Sequence, residues 1–317
     1  MKYLKYKCLL AIILGCSLSG CFDLTEEVFD RVDSGVYYQD ENSVKSAVAT
    51  IYSTGATSYA EYFWYMQEFP ADQVTWRVWN GGQWGYDEGE KFIFSIQNWT
   101  PDAKIIRSAW ENAWTTIGLC NTLLADMGKL TSADLKMTDE KLKAYEGEVR
   151  TLRAWAYYNI FEIWGGALPL NIEPATVDGE LPPTADPDFD TSCKKIYNFI
   201  ATELDDCYEG MVENQVNRMN KAVNRMIKAR LLLNAEVFIK ESHYTECAEL
   251  CREIISGKYG KYELAILKNG KGQQSAKALL SVSETALAEY NTANGTNYAV
   301  LPANCYKLSS STVGFSG

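Results

Sequence analysis

The stretch EVRTLRAWAYYNIFEIWGGALPL, residues 148–170, decides how the rest of the chain is read. Together with the preceding MTDEKLKAYEG it sets apolar residues at Leu142, Tyr145, Val149, Leu152, Ala156, Ile160 and Ile163, the spacing of one helical face. Thr138 is placed to cap this helix, Gly165-Gly166 to end it, and Pro169 to force an extended exit. Trp155 and Trp164 lie near the stripe, where core packing is expected.

The same periodicity appears on both sides. Residues 40–55 carry Val44, Ala47, Val48, Ile51 and Tyr52 on one face. Residues 100–128 begin with Thr100 as expected cap and Pro101 at the first helical position. Their inner face runs through Ile106, Ala109, Ala113, Ile117, Cys120 and Leu124, with Trp110 and Trp114 alongside. A further helix is predicted from about Thr191 to Glu209, with Cys193, Ile196, Tyr197, Ile200, Leu204 and Cys207 inward. A last helical pair falls at about 220–240 and 245–256, joined by KESHY and ended by Gly257. Residues 59–99 have no sustained period and read as loops with short strands. The proline-rich EPATVDGELPPTADPD is a polar loop. The expected fold class is mainly α, built of tetratricopeptide-like helical hairpins with long irregular loops, although no clean 34-residue repeat can be counted. After Leu264 the composition changes. KNGKGQQSAKA is a linker, and residues 278–317 suggest a short helix capped by Ser283, an Asn-Gly turn and strand-like runs near 298–301 and 305–315, an incomplete β-rich segment.

At the start of the chain, Lys2, Lys5 and Lys7 precede an apolar run from Cys8 to about Leu14, far short of the roughly 20 residues a spanning helix needs. The reading is a signal peptide over residues 1–20. Its junction Leu18-Ser19-Gly20-Cys21 is similar to a bacterial lipobox, which implies lipidation at Cys21. Asp23, Glu26 and Glu27 come next, similar to a surface-export signal. An acylated cysteine holds a chain on a bilayer without a spanning helix, at roughly 0.8 kcal/mol per buried CH₂. Loss of the leader would take the net charge from −11 to −14, which repels phosphate backbones and argues against nucleic acid as a partner. Of nine cysteines, those at 120, 193, 207, 247, 251 and 305 remain after Cys8, Cys16 and Cys21 are set aside. Buried thiols are expected rather than disulfides.

Three pieces together resemble the SusD/RagB family of outer-membrane nutrient-binding lipoproteins. They are the lipoprotein start followed by DENSVKSAVATIY, LCNTLLADM leading into EVRTLRAWAYYNIFEIWGGALPL, and RMNKAVNRMIKARLLLNAEVFIKESHYTECAELCREIISGKYGKYEL, over roughly residues 21–265. The resemblance implies a lipid-anchored protein of the outer membrane facing the cell exterior. It would bind oligosaccharide and pass it to a SusC-type TonB-dependent transporter, with no cofactor and no covalent chemistry. Family members are usually much longer. From about residue 278 the chain resembles instead the β-sandwich module of unknown function found in neighbouring surface glycan-binding lipoproteins, through Tyr290-Asn291, Asn294-Gly295, Tyr298, Leu301-Pro302 and Tyr306. The expected organisation is therefore a signal peptide at 1–20, a truncated SusD-like helical domain at 21–265, a linker at 266–277 and a partial β-sandwich module at 278–317. A join between two neighbouring lipoprotein genes, genuine or an assembly error, would produce that order. A truncated helical scaffold should also expose apolar surface and be poorly soluble.

Sugar binding needs flat apolar faces for pyranose C–H groups and polar groups for hydroxyls. ADQVTWRVWNGGQWGYDEGE offers both, and Trp76, Trp79, Trp84 and Tyr86 are the expected ligand contacts. Packing beneath the loop is the competing role for each. His243, Cys247 and Cys251 are spaced i, i+4, i+8, but no fourth ligand is evident and no metal site is expected. Asp186, Asp188 and Asp190 open like a calcium loop, yet Thr191 and Tyr197 stand where glycine and glutamate are needed, so they read as a helix-start cluster. With a single histidine and no Gly-x-Ser-x-Gly elbow, nucleophilic hydrolysis has little support. A pair of carboxylates for glycoside hydrolysis is not excluded by 41 acidic residues. No catalytic residue is assigned.

Overall fold

The computed structural model describes residues 37–75, 89–174, 183–213 and 217–260, together with Thr292. All regular elements among the described residues are helical. The first, α1 (Glu41–Thr57), is capped by Asp40, whose carboxylate accepts from the backbone N–H groups of Asn42 and Ser43 at 2.9 and 3.1 Å. The Ser43 hydroxyl accepts from the Asp40 N–H and closes a capping box. Val44, Val48 and Ile51 are buried, as their spacing requires.

Beyond α1 the chain departs from expectation, because residues 59–99 carry no strand in their described part. Instead α1 runs directly into a π-helical turn, Ser58–Phe63, and on into α2 (Trp64–Glu68), and α3 spans Glu90–Ser95. These pieces are too short for a helical period to register. They are held by tertiary burial of Phe69 and Phe94 against Ala103 and Ile105.

Helix α4 (Lys104–Met127) starts later than Thr100 and Pro101 suggest. Residues 100–103 form a turn closed by the Ala103 N–H to Thr100 O, and Ala103 supplies no side-chain cap. The cap is borrowed: Glu90, in the first turn of α3, accepts from the Ile105 N–H at 3.1 Å. Helix α5 (Asp139–Trp164) begins at Thr138, which accepts from the Lys141 N–H. Its faces are buried almost all round from Ala144 to Phe161, because α4 packs on one side and α6 (Phe189–Asp206) on another. This is the central helix. It ends at Gly165 with φ +58°, a left-handed value that favours glycine. A side chain at Gly166 would run into the backbone oxygen of Phe189 and the Cys193 thiol, so α6 can lie close only because this position has none.

Asp188 caps α6 by accepting from the Thr191 N–H at 2.8 Å, and Cys193, Ile196, Tyr197, Ile200, Leu204 and Cys207 are buried as predicted. After a 3-10 turn at Tyr208–Gly210, α7 (Lys221–Leu233) is capped by Asn220. The chain breaks at Asn234, continues as α8 (Ala235–Ile239), and turns back at Lys240 into α9 (Tyr244–Ile255). Helix α9 has His243 in the capping position, with no side-chain cap bond. It packs Cys247 and Leu250 on Ala229 and Leu232 of α7. The residues read as linker and β-rich segment, 266–277 and 278–317, lie outside the described residues apart from Thr292. No described helix is long and apolar enough to cross a membrane.

Candidate functional site

The motif that decides the fold also forms its polar centre. Arg153, nearly buried on α5, donates to Glu203 of α6 through Nε and Nη2 at 2.9 and 2.7 Å, and through Nη1 to Asn121 Oδ1 of α4 at 3.0 Å. Arg150, one turn earlier, donates to the other oxygen of Glu203. Asn121 turns its amide outward and donates to the carbonyls of Asn171 and Glu173 at 3.0 and 3.1 Å, which fixes the extended exit beyond Pro169. The Tyr157 hydroxyl completes that clamp by donating to Asn171 O and accepting from Asn171 N–H, and burial pushes its pKa up to about 12. A second clamp joins α1 to α5: Tyr52 donates to the fully buried Glu148 at 2.6 Å, and Arg218 pairs with the same carboxylate. Burial, and then the Glu148 charge, raise the Tyr52 pKa. These groups are consumed by one another, and their role is to set helix positions.

The expected ligand residues Trp76, Trp79, Trp84 and Tyr86, and the lipidation residue Cys21, lie outside the described residues. The ground on either side of 76–88 is described. Trp64 and Tyr65 of α2 lie 5.5 Å apart by ring centroid, Trp64 and Phe69 5.8 Å, and Phe94 of α3 stacks on Trp99 at 5.4 Å with the planes 10° apart. Phe69 and Phe94 sink into one small core, while Trp64 and Trp99 remain 40% and 42% exposed. The Gln97 amide ties the two sides by donating to Pro70 O at 3.0 Å. Two half-exposed indoles thus flank the aromatic, glycine-rich stretch on a shared base. Sequence reading passed over both. The available signal was that neither indole falls on a helical stripe, unlike Trp110, Trp114, Trp155 and Trp164, which do pack against the main core.

Comparison with known proteins bears on this arrangement. The chain is 25% identical over 195 residues to the starch-binding protein SusD of Bacteroides thetaiotaomicron, a match covering 61% of this chain and 31% of that protein. Among solved structures, a laminarin-binding SusD-like protein superposes with a TM-score of 0.56 at 18% identity, over 73% of this chain and 47% of the other. Over its helical body the chain has the SusD-like fold. Surface glycan-binding protein A from Bacteroides fluxus is similar as well, with a TM-score of 0.54 at 21% identity over 72% of this chain and 46% of that one. The chain therefore spans less than half the length of each of these relatives. A family model described as "-like, N-terminal domain" matches residues 235–316, which takes in α8, α9 and the stretch beyond them.

Within this helical body the other singled-out groups have structural partners. His243 pairs with Glu246, the buried Cys247 thiol donates to Ala229 O at 3.3 Å, and no cluster of metal-ligating residues occurs among the described residues. Asp186 pairs with Lys195 and Asp188 is the α6 cap, so the acidic run does start a helix. Cys120, Cys193, Cys207, Cys247 and Cys251 are free, and Cys305 lies outside the described residues. Burial drives the Cys120 thiol up to about 12 and raises those of Cys193 and Cys207, which keeps them neutral.

Proposed function

We propose that this chain is a lipid-anchored cell-surface protein that binds oligosaccharide and presents it to a SusC-type TonB-dependent outer-membrane transporter, leaving glycosidic bonds intact. The observation that carries the reading is the pair of half-exposed indoles, Trp64 and Trp99, on a SusD-like body at the two ends of the stretch holding Trp76, Trp79, Trp84 and Tyr86. Indole faces bind sugar C–H surfaces, and the intervening Arg77, Asn80, Gln83 and Asp87 supply hydroxyl partners. The printed descriptions of the relatives, starch-binding, laminarin-binding and surface glycan-binding, point to the same ligand class. Cys21 is the proposed acyl attachment, which directs the chain to the outer membrane, and residues 266–277 and 278–317 are the proposed linker and β-sandwich module.

The test is a glycan array on the mature chain, followed by titration with the strongest hit. Binding should fall about tenfold, equal to 1.4 kcal/mol, on Trp79→Ala, and by a similar factor on Trp64→Ala. No reducing sugar should appear on prolonged incubation. Release of sugar would replace this reading with hydrolysis. The extent of the match favours a second reading: the relatives continue well beyond the part this sequence aligns with. A chain that docks on the barrel but binds no polysaccharide on the array would be a structural component only.

A further inference from the structure

Where α1 passes into the π-helical turn, a small cavity lies against α4 and α5, lined among others by Gly55, Ser58, Phe63, Thr116, Trp155 and Asn159. It offers a water-sized sphere about 10 Å³ in which to move its centre, close to the least that holds one molecule. Two of its lining side chains carry polar atoms that are buried and have no hydrogen-bond partner in the protein, Ser58 Oγ and Asn159 Oδ1. Both residues are at least 97% buried.

We infer that this cavity is a site for a single buried water molecule bridging Ser58 Oγ and Asn159 Oδ1. The local bonding leaves those two atoms for it. The Asn159 amide N–H already donates to Trp155 O at 2.9 Å, which aligns the side chain and leaves Oδ1 as acceptor. Thr50, Thr54 and Thr57 of the same helix turn their hydroxyls onto the carbonyl four residues back, whereas Ser58 Oγ makes no such bond. Thr116 donates its hydroxyl to Asn112 O at 2.8 Å and keeps lone pairs for a third contact. A water here accepts from Ser58 and donates to Asn159. No charged side chain lines the space, which excludes an ion, and its size excludes an organic ligand. The room exists because residue 55 is glycine: a Cβ there would stand 3.0 Å from the Trp155 ring and 3.4 Å from Thr116 Cγ2. Helices open where water or a widened turn interrupts their ladder, and π-turns mark such places. The water therefore pins the joint from which α2 and Trp64 are presented to the central helix α5.

A high-resolution crystal structure of the whole chain tests this. One density peak within hydrogen-bond distance of both Ser58 Oγ and Asn159 Oδ1 is expected. An empty cavity, or Ser58 Oγ turned onto Thr54 O, overturns the inference. Without crystals, magnetisation transfer from a long-lived water to the Asn159 side-chain amide is expected by NMR, and its absence counts equally against the site. In a double-mutant cycle, the shifts in melting midpoint of Ser58→Ala and Asn159→Ala should fall short of additivity in the double variant, whereas strict addition means that the two side chains share no water.

Discussion

Glu203 and Trp64 stand at opposite ends of what this scaffold does with expensive groups. In the α4–α5–α6 body, a carboxylate is taken out of water and surrounded by Arg153 and Arg150, with Asn121 at the back of Arg153. In the α2–α3 corner, large indoles that would stabilise a core are left half in solvent above a base of Phe69 and Phe94. The first region uses polar groups to set helix positions. The second leaves apolar faces exposed, as the proposed sugar surface requires.

The largest effect should come from breaking the interior set. Glu203→Ala leaves two guanidinium groups without their carboxylate in a mostly dry site, and a loss of about 3–5 kcal/mol is expected from denaturant unfolding. Trp64→Ala should cost only about 1 kcal/mol, because much of the ring is already exposed. If the two variants unfold at the same urea concentration, the contrast between the regions is wrong. Next is Gly166→Ala. The added methyl meets Phe189 O and the Cys193 Sγ, the latter at 2.8 Å, so α6 must move off the end of α5 at about 1–3 kcal/mol. The same change at Gly118, which has open space around it, should be neutral or better, and that pair of melting curves checks the packing claim.

How much of this was legible depends on distance along the chain. Helices α1, α5, α6 and the α7–α9 region were readable because each repeats its apolar period for several turns and carries a local cap, Asp40, Thr138, Asp188 and Asn220 among them. The start of α4 was misplaced because its cap, Glu90, comes from another helix. The π-turn, α2 and α3 were missed because six or fewer residues cannot show a 3.6-residue period, and their helicity rests on contacts made elsewhere. Arg153 lies within the stretch that decides the fold, but its partner Glu203 lies 50 residues away and no local rule names it. The aromatic stretch was conspicuous in composition, whereas Trp64 and Trp99, which lie on either side of it in sequence, were not.

A smaller effect concerns the outer face of α7 and α8. Met226, Leu233 and Val237 succeed one another at helical spacing, and they are 48%, 53% and 69% exposed, against the fully buried Leu231 beside them. Light scattering should show self-association that Leu233→Lys with Val237→Glu reduces, while the melting midpoint changes by no more than about 0.5 kcal/mol equivalent. A monodisperse parent chain would argue that this face needs no cover.

The smallest effect concerns a carboxylate in a different setting from that of Glu203. Glu41, in the first turn of α1, accepts from Lys141 at 2.7 Å and from the Tyr145 hydroxyl at 3.1 Å, with Lys45 nearby. The Lys141 hydrogen bond is the main cause that lowers its pKa from 4.5 to about 2, burial opposing. Because the folded value lies below the unfolded one, the contribution is complete above pH 4.5 and is lost as pH falls from there toward 2. Both lysines reach it through solvent, so screening holds the effect below about 1 kcal/mol despite the size of the shift. Glu41→Gln should therefore lower stability at neutral pH by less than about 1 kcal/mol and leave it unchanged near pH 2, which flattens the acid limb slightly, while Glu203→Ala lowers the whole profile. Should Glu41→Gln prove as damaging as Glu203→Ala at neutral pH, exposure to water would not be what separates the two carboxylates, and the division between a clamped interior and a solvent-facing rim would fail with it.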